Sequence, residues 1–204
     1  MADPGDGDRL ERLWAGQFGV DYAERNAVVV EQRAAFWDGI LDRHGIRSVL
    51  EVGCGQGANL APIARRLDGS DVWGIDVGAF ALERARELTP TANLVRSWAP
   101  PLPFRDRFVD LVFTVGVLIH QPDDVLGAMV DEIVRCADRY VLWAEYHADA
   151  TEEVPYHGES GALFRRDYGA VYAARHPELT IVDEGFLDRE AGFDRVTWQL
   201  LAVP

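Results

Sequence analysis

The chain has 204 residues, 48% of them hydrophobic, which suits one globular domain with a sizeable core and excludes a disordered segment. Its net charge of −14 opposes nucleic-acid phosphates, so a DNA or RNA substrate is not expected. All 20 basic residues are arginine, which excludes lysine-based Schiff-base or pyridoxal-phosphate chemistry.

Residues 1–8 read as a floppy acidic tail without the apolar core of a secretory signal. From Arg9, the positions Leu10, Leu13, Trp14 and Phe18 fall at helical spacing, and a second helix fits about 21–43, ending at His44-Gly45. Short apolar strands then alternate with helices. The strands read at 47–52, 71–76, 92–97, 108–115 and 139–145, the helices at about 57–67, 78–88 and 122–137. This alternation predicts an α/β fold with a parallel sheet covered on both faces. Residues 146–166 show no clear period and are too long for an ordinary connection, so they read as a lid loop on the acceptor side of a site. A helix at about 167–175 follows, then strands at about 178–187 and 195–203. Their short link implies an antiparallel pair. No apolar run reaches the roughly 18 residues of a membrane helix, so no membrane partner is expected. Cys54 and Cys136 lack metal-type spacing and read as reduced thiols of a cytoplasmic protein, and no metal site is expected.

The strongest local motif is Glu51-Val52-Gly53-Cys54-Gly55-Gln56-Gly57, a glycine-rich turn between a strand and a helix. Glycines there permit positive φ and close approach of a ligand. Asp76, 23 residues beyond Gly53, ends the second strand, where an acid bonds both ribose hydroxyls of an adenosine ligand. Gly53, Gly55 and Ala58 also satisfy the G-x-G-x-x-A dinucleotide fingerprint, so an NAD(P)-binding oxidoreductase is the alternative. Against it, Glu51 stands where a dinucleotide site is usually apolar, and no second mononucleotide-binding half follows. A non-catalytic partner protein that binds the same adenosyl cofactor is a further alternative, disfavoured by the polar residues His120, Tyr146 and Arg166.

The turn, the acid and the strand pattern resemble class I S-adenosylmethionine (SAM) methyltransferases. More narrowly, the chain is similar to the pseudaminic acid biosynthesis-associated methylases. That resemblance rests on Phe18-Gly19-x-x-Tyr22-x-x-Arg25-Asn26, on Gly116-Val117-Leu118-Ile119-His120 with Pro122-Asp123, and on Ala144-Glu145-Tyr146, Val154-Pro155-Tyr156 and Leu163-Phe164-Arg165-Arg166-Asp167-Tyr168. It covers about residues 14–203. The chain departs from the family at Val115, where a lysine is common, and its glycine turn is closer to the general methyltransferase form. The resemblance implies a single Rossmann-like domain over 1–204, with a seven-stranded, mostly parallel sheet and one antiparallel strand. Cap helices over about 9–43 would cover the cofactor. It implies SAM as cofactor and a methyltransferase acting on O or N of a small metabolite in a biosynthetic pathway.

The candidate cofactor residues are Glu51, Gly53, Cys54, Gly55, Gly57, Asp76, Val77, Trp98 and Thr114, with Arg25 and Asn26 from the cap. Trp98, after the third strand, would lie on the adenine face, since aromatic rings stack on bases. Thr114 stands at the end of the fourth strand, at the switch point where open α/β sheets bind ligands. His120 follows that strand and is the candidate general base, because histidine titrates near neutrality. Tyr22 is expected near the transferred methyl group. Glu145 and Tyr146 end the fifth strand and, with Tyr156, are acceptor-pocket candidates. Arg165 and Arg166 close the lid loop in an otherwise acidic protein. A guanidinium fork matches a carboxylate or phosphate, so Arg166 in particular is expected to hold an anionic group of the acceptor.

Overall fold

The predicted alternation closes into one seven-stranded sheet, ordered β3-β2-β1-β4-β5-β9-β8. The structure is a computed structural model and describes residues 5–26, 28–98 and 100–204. Residues 1–4 of the predicted tail lie outside that range. In chain order the elements are α1 (Asp6–Ala15), α2 (Gln17–Arg25), α3 (Glu31–His44), β1 (Val49–Val52), α4 (Leu60–Ala64), β2 (Val72–Asp76), α5 (Ala79–Leu88), β3 (Asn93–Arg96), β4 (Val109–Val115), α6 (Asp123–Cys136), β5 (Ala137–Glu145), β6 (Glu152–Glu153), β7 (Phe164–Arg165), α7 (Tyr168–Arg175), β8 (Thr180–Leu187) and β9 (Val196–Ala202). Short 3₁₀ turns cover Gly69–Asp71 and Leu118–His120. β9 runs antiparallel between β5 and β8, and the pairs linking β1 to β5 are parallel.

Residue alternation along the central strands divides the core in two. Leu111 and Phe113 of β4 and Leu142 of β5 pack with Trp37 and Ile40 of α3 and Leu60 of α4. Val112, Val141 and Trp143 point the other way, onto Met129 and Ile133 of α6 and Tyr172 of α7. Both faces are apolar because both are covered, as a parallel sheet requires.

Three readings are corrected by the structure. The tail is helical from Asp6, with Asp6 and Asp8 in the first turn, where carboxylates complement the helix dipole. The helix expected over 21–43 is two helices. Asn26 stops α2 by donating its side-chain amide to Tyr22 O at 2.7 Å, and the branched Val28, Val29 and Val30 disfavour continuation. Gly16 likewise separates Phe18 from α1. Segment 146–166, expected as a lid loop, folds back as a hairpin in which Glu152 pairs with Arg165 and Glu153 with Phe164. Arg9 of α1 donates to Ser160 O at 3.1 Å and Gly161 O at 2.9 Å, tying the hairpin to the cap.

Candidate functional site

A cavity of about 820 Å³ opens at the carboxyl ends of β1, β2 and β4, roofed by α1, α2 and the 154–161 region. Strand order reverses here, because β1 pairs with both β2 and β4. The glycine turn forms its floor. Gly53, Gly55 and Gly57 have φ of 73°, 50° and 82°. A Cβ on Gly53 would meet Val117 Cγ2 at 2.5 Å, so close approach as well as φ requires glycine there.

Glu51 is 1% exposed and lines this cavity. Its Oε1 accepts from Asn59 Nδ2 at 2.6 Å, and Asn59 Oδ1 in turn accepts from Arg33 at 2.8 Å and Trp37 Nε1 at 3.3 Å. Its Oε2 has no partner among the described residues. Burial pushes the Glu51 carboxyl up to about 8, against the opposing pull of Asn59 and Arg33. Asp76 Oδ1 accepts from Gly78 N at 2.7 Å and Oδ2 from Gly55 N at 2.8 Å. Burial raises its pKa as well, opposed by these amides.

His120 Nδ1 lies 2.6 Å from Ala162 O. A carbonyl only accepts, so Nδ1 carries the proton and Nε2 presents its lone pair. Burial holds the ring down to about 4. The Trp14 and Tyr156 rings lie 4.6 and 5.1 Å from the imidazole, centroid to centroid. Tyr22 packs on Trp14 at 5.2 Å. Tyr146 donates its hydroxyl to Asp194 Oδ2 at 2.5 Å.

The structure brings Glu51, Gly53, Cys54, Gly55, Asp76, Val77 and Trp98 to one cavity with Tyr22, Asn26, His120, Tyr146 and Tyr156. Six expected residues do not line it, the fully buried Glu145 of β5 among them. Gly57 faces Ala85 and Thr89 and closes the turn through its N–H to Cys54 O at 2.9 Å. Thr114 is 0% exposed, and its hydroxyl has no partner among the described residues. Arg25 lies exposed on α2, and Arg165 lies exposed on the outer hairpin strand. Arg166 is buried, donating to Asp123 Oδ1 at 2.7 Å and Gln121 O at 3.1 Å while lying over the Phe164 ring. Its guanidinium is therefore committed inside the fold, because a buried charge needs partners, and the expected anion clamp is absent at this position. Arg166→Ala is expected to lower stability by about 1–3 kcal/mol, the cost of orphaned charge-assisted bonds, without altering ligand affinity. A thermal melt read beside calorimetry checks both.

Sequence reasoning missed Arg33, Asn59, Gln56 and Asp194. Arg33 and Asn59 serve the site through the Glu51 network. Gln56 donates to Ala23 O at 2.9 Å, joining the glycine turn to the cap. Asp194 comes from the β8–β9 link, far away in sequence. Among the described residues no cluster of potential metal ligands occurs, and no helix is long and apolar enough to cross a membrane.

Residues 49–139 match the methyltransferase-domain family model. The magnesium protoporphyrin IX methyltransferase of Synechocystis, solved with SAM bound, superposes with a TM-score of 0.72 at 16% identity, covering 100% of both chains. The fold is that of the class I methyltransferases. The 1,6-didemethyltoxoflavin-N1-methyltransferase of Burkholderia thailandensis shares it, with a TM-score of 0.72 at 17% identity over 99% of this chain and 91% of that one. A ribosomal protein L11 methyltransferase of Cupriavidus taiwanensis is 30% identical over 156 residues, 70% of this chain and 52% of that protein. The chain thus spans about half the length of that relative. Within this methyltransferase fold, the Glu51 and Asp76 carboxylates stand on either side of the glycine turn.

Proposed function

We propose that this protein transfers a methyl group from SAM to a nucleophilic atom of a small molecule. The observation that carries the reading is Glu51: a buried carboxylate lining the cavity, with one oxygen unpartnered among the described residues. An ammonium group draws out the ionised form of such a carboxyl and satisfies its free oxygen, whereas a pyrophosphate gains no opposite charge from it. The residues present therefore fit SAM. Glu51 would hold the amino-acid end with Asn59 and Arg33 behind it, Asp76 the ribose diol, and Trp98 the adenine side. Calorimetry with S-adenosylhomocysteine (SAH) and with NADH tests the reading. SAH should bind and NADH should not, and the reverse result overturns it.

SAM supplies, when bound, a methyl group already activated on a sulfonium. The protein's task is then alignment, which is worth up to about 7–11 kcal/mol. Tyr22, His120, Tyr146 and Tyr156 line the cavity where an acceptor would enter, under a roof joined by Arg9. That aromatic roof favours a small molecule over a folded protein, although the L11 relative is named for a protein substrate. The two structural neighbours above are named for small-molecule acceptors, which supports the same choice. With Arg166 engaged elsewhere, an anionic acceptor loses the residue that argued for it. The narrower likeness to pseudaminic acid-associated methylases stands as a proposal on the segments that carry it.

His120 Nε2 is oriented by the Nδ1–Ala162 bond to accept a hydrogen bond from the attacking group. His120→Ala is expected to lower kcat by about 10²-fold for a hydroxyl or amine acceptor, the low end for general-base catalysis, and little for a carboxylate acceptor. With a pKa near 4, the ring is neutral throughout the physiological range. The His120-dependent rate should therefore be flat near pH 6.5 and fall only below about pH 5, where Nε2 gains a proton. Steady-state kinetics across pH, with SAM affinity measured in parallel, decide it.

A further inference from the structure

Glu145 ends β5 next to Tyr146, yet its side chain is turned away from the cavity and 0% exposed. Oε1 accepts from Val117 N at 3.2 Å and Oε2 from Ile119 N at 3.3 Å. The Leu118 amide also lies against the carboxylate. From α7, Tyr168 donates its hydroxyl to Phe164 O at 3.1 Å, the buried Tyr172 hydroxyl has no partner among the described residues, and Arg166 bonds Gln121 O and Asp123 instead of Glu145. The charge is thus held by peptide N–H groups, with no guanidinium among its partners. Burying a carboxylate in this way costs several kcal/mol. An apolar residue in its place would orphan the turn's amides.

That turn forms one wall of the cavity. Val117 is the residue that closes on Gly53, and Gly116, Val117, Ile119 and His120 all line the space. The turn ends at His120, whose ring is fixed at its other side by Ala162. One carboxylate thus sets the distance between the glycine turn and the ring that faces the acceptor.

We propose that Glu145 is a positioning residue, whose carboxylate holds the 116–120 wall against the glycine turn and so sets the placement of His120. The proposal rests on reading the cavity as the SAM and acceptor site. Burial pushes the Glu145 carboxyl up to about 7, so its grip on the turn is sensitive to pH near neutrality. Glu145→Gln keeps the size but replaces one acceptor oxygen with an NH₂ that faces an N–H donor.

The test is an NMR titration of the labelled full-length protein, with SAH as the calorimetric probe. In the wild type, the Val117 and Ile119 amide signals should shift together with a midpoint near pH 7. The His120 ring signals should follow that midpoint, although the ring itself titrates far lower. In Glu145→Gln this shared step should vanish, and SAH affinity should fall about tenfold, the worth of roughly one charge-assisted bond. Amides that stay silent between about pH 5.5 and 8.5, or a variant with unchanged SAH affinity and His120 signals, would overturn the proposal. If the variant does not fold, the wild-type titration decides alone. Wild-type protein that fails to bind SAH sinks the cofactor reading, whereas the amide titration still judges Glu145.

Discussion

Asp76→Ala should weaken SAH binding about a hundredfold while leaving the protein folded. Two losses add. The ribose hydroxyls lose a charged acceptor, worth about 1.5–3 kcal/mol. The Gly55 and Gly78 amides, now held at 2.8 and 2.7 Å, lose theirs as well. Gly55 lies in the glycine turn, so the floor of the site loosens with the loss of its anchor. The core is not involved: Asp76 ends β2, and its backbone pairing with Arg96 does not depend on the side chain. Calorimetry gives the affinity and a thermal melt checks the fold. Unchanged affinity would show that the ribose lies elsewhere.

SAM affinity should rise about tenfold per pH unit as the solution approaches pH 8 from below, and binding should release a proton. In the free protein Glu51 holds its proton up to about pH 8, because burial opposes the charge. An ammonium needs the carboxylate, so below that pH the ligand must displace the proton. Above about 8 the ligand's own α-amino group loses its charge, and the gain stops. The stability of the free protein runs the other way. The folded pKa of Glu51 is raised above its unfolded value, so its contribution is fully present below about pH 4.5 and is lost as pH rises through 8. Calorimetry in buffers of different ionisation enthalpy counts the proton. A pH-independent affinity, with no proton released, would remove Glu51 from the ammonium site. Glu51→Gln should abolish the linkage.

The floor of the cavity was legible because its determinants are local. Glu51, the glycines and Asp76 sit at the ends of strands whose apolar pattern is plain, and a glycine with forced φ announces itself. The opposite wall was legible only in part. Tyr22, His120, Tyr146 and Tyr156 could be named, but Asp194 could not, because no sequence rule connects residue 194 to residue 146. Arg166 was misread for the same reason. An arginine ending a long segment in an acidic protein suggests an anion, and nothing nearby in sequence shows that Asp123 and the Gln121 carbonyl already engage it.

By itself, then, the sequence determined the alternating β/α order, the glycine turn, the acid that follows it and the antiparallel strand at the end. These are set by residue periodicity and by backbone conformations that few side chains allow. Only the tertiary structure decided which polar groups were already taken. It gave Arg166 to Asp123, and it turned Glu145 inward onto the Val117–Ile119 amides. It left Glu51 Oε2 without a partner among the described residues. A buried polar atom must be paired or pay the full cost of desolvation, and its partners come from whichever segments the fold brings together.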